Sequence, residues 1–216
     1  MKKVLIFLCS ILIALNLQAQ TTTSPIGAYY LRGEMEMAGG FKLDSNGRFQ
    51  FFFSYGALDR QASGIWQQMG DHLVLDSEPK GVKDFLLTQS KMDPGKQLTL
   101  LITNASPQIL PYVIAIVHSK GKQFHSTANE KGQMVLPIEQ ADSIVLQFQW
   151  CPEKASRFDV ANLGHNHFSF RMLPSVTDVI FDRFPLTITP QEIYGPLPFS
   201  GTHICHFQRT TNNIDQ

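Results

Sequence analysis

From Gly27 to Ser77 apolar and polar residues alternate with a period of two. That is the mark of strands with one covered face and one wet face, and it excludes a helical bundle for this part of the chain. Tyr29, Leu31, Met35 and Met37 fall on one side, and Arg32, Glu34 and Glu36 on the other. Phe41 and Leu43 lead into Asp44-Ser45-Asn46-Gly47, a strong hairpin turn because Asn-Gly accepts positive φ angles. The return strand, Arg48 to Tyr55, sets Phe49, Phe51, Phe53 and Tyr55 on one face. Phe52 breaks the alternation, which predicts a strand covered on both faces. Gln61 to Gln68, a turn at Gly70-Asp71 and a strand through Leu73 and Leu75 extend the antiparallel meander.

The composition shifts at Glu78-Pro79-Lys80-Gly81, and Phe85 to Thr88 reads as the meander's last strand. Met92-Asp93-Pro94-Gly95 marks the boundary. Beyond it, strands are expected at Leu98–Ile102, Pro111–Val117, Gln123–Ala128, Gln133–Leu136, Ile144–Trp150 and Asn166–Met172. The tail adds Val179–Phe181, Leu186–Thr189 and Thr202–Phe207. No stretch sustains helical periodicity for three turns. The expected fold is all-β: an antiparallel meander or half-barrel over residues 20–92, followed by a β-sandwich over residues 93–216.

The chain opens with Lys2 and Lys3, an apolar run from Val4 to Leu17, then Gln18, Ala19 and Gln20. A basic start, a short apolar core and a small residue at the cut site make a secretory signal peptide over residues 1–19. The apolar run of about fourteen residues falls short of the roughly twenty a membrane helix needs. A periplasmic or secreted protein with no transmembrane segment in the mature chain is therefore expected. Removing the signal takes two lysines and no acid, leaving 16 basic and 18 acidic side chains, a net charge near −2. That balance excludes the basic footprint of a nucleic-acid partner. Sixteen Phe and only 17% charged residues call for a packed core rather than disorder. Two cysteines remain, Cys151 and Cys205, expected in one C-terminal module. In an oxidising compartment they form a disulfide or stay as two buried thiols, and only their separation decides.

Leu43-Asp44-x-x-Gly47-x-Phe49, Gly64-x-Trp66, Gly70-Asp71 and Leu73-x-Leu75 resemble the lipocalin-like half-barrel domains of bacterial envelope proteins. The resemblance implies that Trp66 plugs the barrel interior and that Gly64 permits a bend or close backbone approach. Between Lys96 and Trp150, the run Val113–Val117, Lys120-Gly121-Lys122, Thr127, Asn129-Glu130-Lys131-Gly132 and Met134-Val135-Leu136 resembles prealbumin-like or immunoglobulin-like sandwich modules. Such modules bind or space rather than catalyse.

His165-Asn166-His167 is the sharpest polar feature, since residues two apart on a strand face the same way. With His203, Cys205 and His206 it would supply ligands suited to zinc or copper; the plain alternative is polar residues at strand ends. Asp59 and Arg60, in the loop after Tyr55, would form a charged rim at a barrel mouth or simply pair with each other. Glu34 and Glu36 read as a solvated face. No Gly-x-Ser-x-Gly, phosphate loop, dinucleotide fingerprint, His-Glu-x-x-His or Cys-x-x-Cys occurs, so no catalytic residue and no cofactor is expected. The expectation is a non-enzymatic exported protein that binds a small apolar ligand or a partner protein. Phe49, Phe51, Phe53, Tyr55, Asp59, Arg60 and Trp66 would contribute the site, the Phe-rich strand as the apolar wall of a pocket; the plain alternative is that those rings simply form the core. The alternative is a metal-handling envelope protein using the histidines above.

Overall fold

The computed structural model describes residues 24–210. The expected signal peptide, residues 1–19, lies outside them. The chain is all-β, as its periodicity requires. Five strands, β1 (Gly27–Arg32), β2 (Met37–Leu43), β3 (Arg48–Tyr55), β4 (Leu58–Met69) and β5 (His72–Ser77), form the expected meander. Eight follow in the middle of the chain: β6 (Phe85–Lys91), β7 (Leu98–Thr103), β8 (Val113–Ser119), β9 (Lys122–Thr127), β10 (Gln133–Leu136), β11 (Ser143–Phe148), β12 (Ser156–Asp159) and β13 (His167–Met172). The last three are β14 (Phe184–Ile188), β15 (Glu192–Pro196) and β16 (Ile204–Arg209).

The meander does not stay half a barrel. β14 pairs with β5, and β16 pairs with β1, so eight antiparallel strands close on themselves in the order β1-β2-β3-β4-β5-β14-β15-β16. Closure removes every sheet edge from this body. The central strands make two four-stranded sheets, β10-β7-β13-β6 and β12-β11-β8-β9. The sandwich is thus inserted between two parts of the barrel rather than appended to it. This corrects the boundary at residues 92/93, which falls between β6 and β7, two strands of one sheet. Phe85 to Thr88 belongs to the sandwich, and the strands expected to end the sandwich complete the barrel.

Two separate cores result. Inside the barrel Phe41, Phe49, Phe51, Phe53 and Phe207 are buried together with Tyr29, Leu73 and Leu75. Phe181, delivered by the returning chain, sits among them, its ring 5.3 Å from Phe51 and 5.6 Å from Phe49. It fills the role expected of Trp66. Trp66 is only half-buried, packed on the edge of this core, and its indole N–H donates to the Asp44 carbonyl at 3.2 Å. The close approach of β4 to β5 depends on Gly64. A β-carbon there would lie 1.9 Å from the carbonyl oxygen of Asp76, so only glycine permits this approach. The sandwich core is largely aliphatic, including Leu98, Leu100, Ile102, Val113, Val117, Ile144 and Leu146, joined by Phe148, Phe168 and Phe170.

Candidate functional site

Phe49, Phe51 and Phe53 turn inward as their shared face requires, but they do not line a void. Phe41, Phe51 and Phe207 lie ring against ring at 4.7 to 6.4 Å, with Phe181 among them. An eight-stranded barrel is just wide enough for side chains to fill, and here large rings fill it. These three phenylalanines are core, the plain one of their two expected roles, and not the wall of an internal pocket.

Only Gly56 and Ala57 turn the chain after Tyr55; Asp59 and Arg60, expected in that loop, lie in β4 and take up different tasks. Tyr55 is exposed and, with Glu36, Ala57, Leu58 and Trp150, borders a cleft of about 720 Å³ where the barrel faces the sandwich. Asp59 accepts a 2.6 Å hydrogen bond from Ser54 and does not pair with Arg60. Arg60 instead points to the junction of the two bodies, only 3% exposed. Its guanidinium pairs with Glu153, donates to the Thr177 carbonyl at 3.1 Å and covers the Phe199 ring at 4.3 Å. Lys154 beside it pairs with Asp84 at 2.7 Å and donates to the carbonyls of Ser175 and Asp178. Burial holds the Asp84 carboxyl above the usual carboxylate range, more than the neighbouring Lys154 pulls it down. These groups are structural: they tie both connecting segments to both bodies.

The metal reading is corrected by topology. His165 bonds Ser90 at 2.9 Å and His167 approaches Asp93 at 3.4 Å, both in the sandwich. His203 bonds Glu34 at 2.7 Å and His206 bonds Glu192 at 3.1 Å, both on the barrel. Cys205 faces inward while its neighbour His206 faces out, because successive strand residues point to opposite sides. Among the described residues no group of three or more His, Cys, Asp and Glu is placed to hold a metal ion. The centre of the His-Asn-His run is Asn166, which is 2% exposed and bonds the backbone of Asp93 and Gly95 through both ends of its amide. The choice between a disulfide and two thiols falls to the thiols, and the expectation that both cysteines share one C-terminal module is corrected, for the same topological reason. Cys151 and Cys205 are free, buried thiols in the sandwich core and the barrel core respectively. Burial raises the pKa of both.

The outer wall of the barrel holds a groove of about 580 Å³ that period-two reading passed over. Strand register arranges it in two rows. Tyr30, Gly40, Phe52 and Gln61 lie side by side across β1 to β4, and Ala28, Lys42, Gln50 and Ser63 form the next row. Glu78, Pro79, Val82, Asp178 and Ile180, from the two segments linking the bodies, wall it on one side. Phe52 faces out rather than being covered twice: it is 42% exposed, and Tyr30 is 44% exposed. Their rings meet edge-on at 6.4 Å over Gly40. A β-carbon on Gly40 would come within 2.9 Å of the Phe52 ring and 3.2 Å of the Tyr30 ring, so the glycine hollows the floor that both rings occupy.

No family model and no curated protein matches this chain. The groove is therefore read from its own chemistry. Its charged neighbours are largely satisfied, with Lys42 paired to Asp44 at 3.2 Å and Glu78 to Arg48 at 3.2 Å. Among the described residues no helix is long and apolar enough to cross a membrane. A glycine inside a strand, opposite an out-of-phase aromatic residue, is the sequence signal that points to this place.

Proposed function

We propose that this is an exported, non-enzymatic binding protein of the cell envelope whose recognition surface is the groove on the outer barrel wall. The observation that carries the reading is the contrast across β3. Phe49, Phe51 and Phe53 fill the interior, whereas Phe52 stands with Tyr30 on the outside of a concave surface. A volume of about 580 Å³ lies in the range of small-ligand sites, and such sites combine apolar walls with a few polar groups. The rim suits holding more than proton transfer, since its polar groups are mostly amides, hydroxyls and ion-paired charges. Export rests on the basic start and apolar run of residues 1–19. The closed eight-stranded barrel supports the resemblance to lipocalin-like envelope domains, with the binding surface moved from inside to outside.

Amide chemical shifts of labelled protein screened against a small-molecule library test the site. Responses should concentrate on Tyr30, Gly40, Gln50, Phe52 and Gln61. Responses confined to Tyr55, Leu58 and Trp150 would move the site to the junction cleft, and responses at Phe51 and Phe181 would restore an internal pocket. N-terminal sequencing of the protein from its own cells should begin at Gln20; Met1 on a cytoplasmic protein would overturn export.

A further inference from the structure

We infer that the ligand of the outer groove is a neutral oligosaccharide chain, an assignment that rests on the groove being the binding surface. Tyr30 and Phe52 offer exposed aromatic surface, seated in the space that the missing side chain of Gly40 leaves. The negative face of an aromatic ring attracts the polarised C–H bonds on the flat face of a pyranose. Gln61 lies directly beside Phe52, and Gln50 lies beside it in the next row. Neither side-chain amide has a hydrogen-bond partner among the described residues. A free amide both donates and accepts, which matches a hydroxyl that does the same.

Charge narrows the class. Lys42 is paired with Asp44 and Glu78 with Arg48, so the lining offers no unpaired cation to an acidic chain, and the Asp178 carboxylate on the wall would repel one. A wholly apolar ligand would cover Gln50, Gln61 and Ser63 without replacing their bonds to water. An extended peptide gains most of its affinity by adding to a sheet edge, and the closed barrel presents none here. The rows run across four strands, about 14 Å at the usual strand spacing of about 4.8 Å, a length that suits a short chain of sugars better than a single one.

The test is a heteronuclear titration of the protein with four neutral hexaoses: malto-, cello-, laminari- and mannohexaose. Octanoate and a hexamer of galacturonate serve as apolar and acidic controls. At least one neutral hexaose should shift the backbone amides of Tyr30, Gly40 and Phe52 and the side-chain amides of Gln50 and Gln61. Phe52→Ala should weaken that binding at least tenfold. The double variant Gln50→Ala/Gln61→Ala should weaken it severalfold at an unchanged melting temperature, which separates recognition from folding. If octanoate or the acidic hexamer shifts these residues and no neutral hexaose does, the groove stands as a site and the carbohydrate assignment is overturned. If every responding amide lies elsewhere, or no probe produces a response, both fall.

Discussion

The barrel and the sandwich solve the same packing problem differently. The barrel draws its strands from the two ends of the described chain and fills a closed tube with aromatic rings. The sandwich is built from one continuous segment, and its two open sheets cover each other largely with aliphatic side chains. A closed tube has a fixed bore, so a few large rings fill it efficiently, whereas two facing sheets interdigitate smaller branched groups. Closure has a second consequence. With no edge left to pair, the barrel cannot recognise a partner by adding a strand, and its exposed aromatic pair, Tyr30 and Phe52, stands on the outer wall.

The largest expected effect tests the barrel's geometry. Gly64→Val places side-chain atoms where the Asp76 carbonyl already lies, and it should cost more than about 4 kcal/mol or abolish folding altogether. A soluble variant with near-normal urea stability would show that β4 and β5 do not approach as described. Next, Phe181→Ala should destabilise by about 3–5 kcal/mol, because it removes a ring enclosed by several others. The two free thiols make this specific to one body. Modification of Cys205, in the barrel core, should accelerate well before that of Cys151, in the sandwich core. Equal acceleration of both would mean that the two cores open as one.

The smallest effect concerns the junction. Burial raises the folded-state pKa of Asp84 above its unfolded value, so the native state binds that proton more tightly. Its ionisation therefore lowers stability as pH rises through the unfolded value toward the raised folded value, and the loss persists above it. Asp84→Asn should remove this component, so the stability gap between variant and wild type should shift in the variant's favour as pH rises above about 4. A gap that does not change with pH would show that Lys154 fully compensates the buried carboxylate.

What was legible in the sequence was local. The turn at Asp44–Gly47 forms, with the Gly47 N–H donating to the Asp44 carbonyl at 3.1 Å, and the inward face of Phe49, Phe51 and Phe53 follows from period two. Gln133–Leu136 forms the strand its flanking turns imply. Barrel closure was not legible, because it joins Leu75 to Phe184 and Tyr29 to Arg209 across the whole inserted sandwich. Periodicity says which side of a strand is covered, not which strand lies beside it. The short β12 and β15 leave no sequence signal for a related reason: their apolar residues are too few to set a period. The groove was hidden because an aromatic residue out of phase looks the same in one dimension whether a second layer covers it or water does. Arg60 read as a loop charge because its partners, Glu153, Thr177 and Phe199, come from distant segments.

Phe51 and Phe52, adjacent on β3, bring these strands of argument to a single pair of variants. Phe51 is buried inside the barrel and Phe52 faces out over Gly40. Urea unfolding of Phe51→Ala should show a loss of about 3–5 kcal/mol, whereas Phe52→Ala should lose about 1 kcal/mol and retain a cooperative transition. Comparable large losses for the two would mean that both faces of β3 are core, leaving no exposed aromatic surface for a ligand.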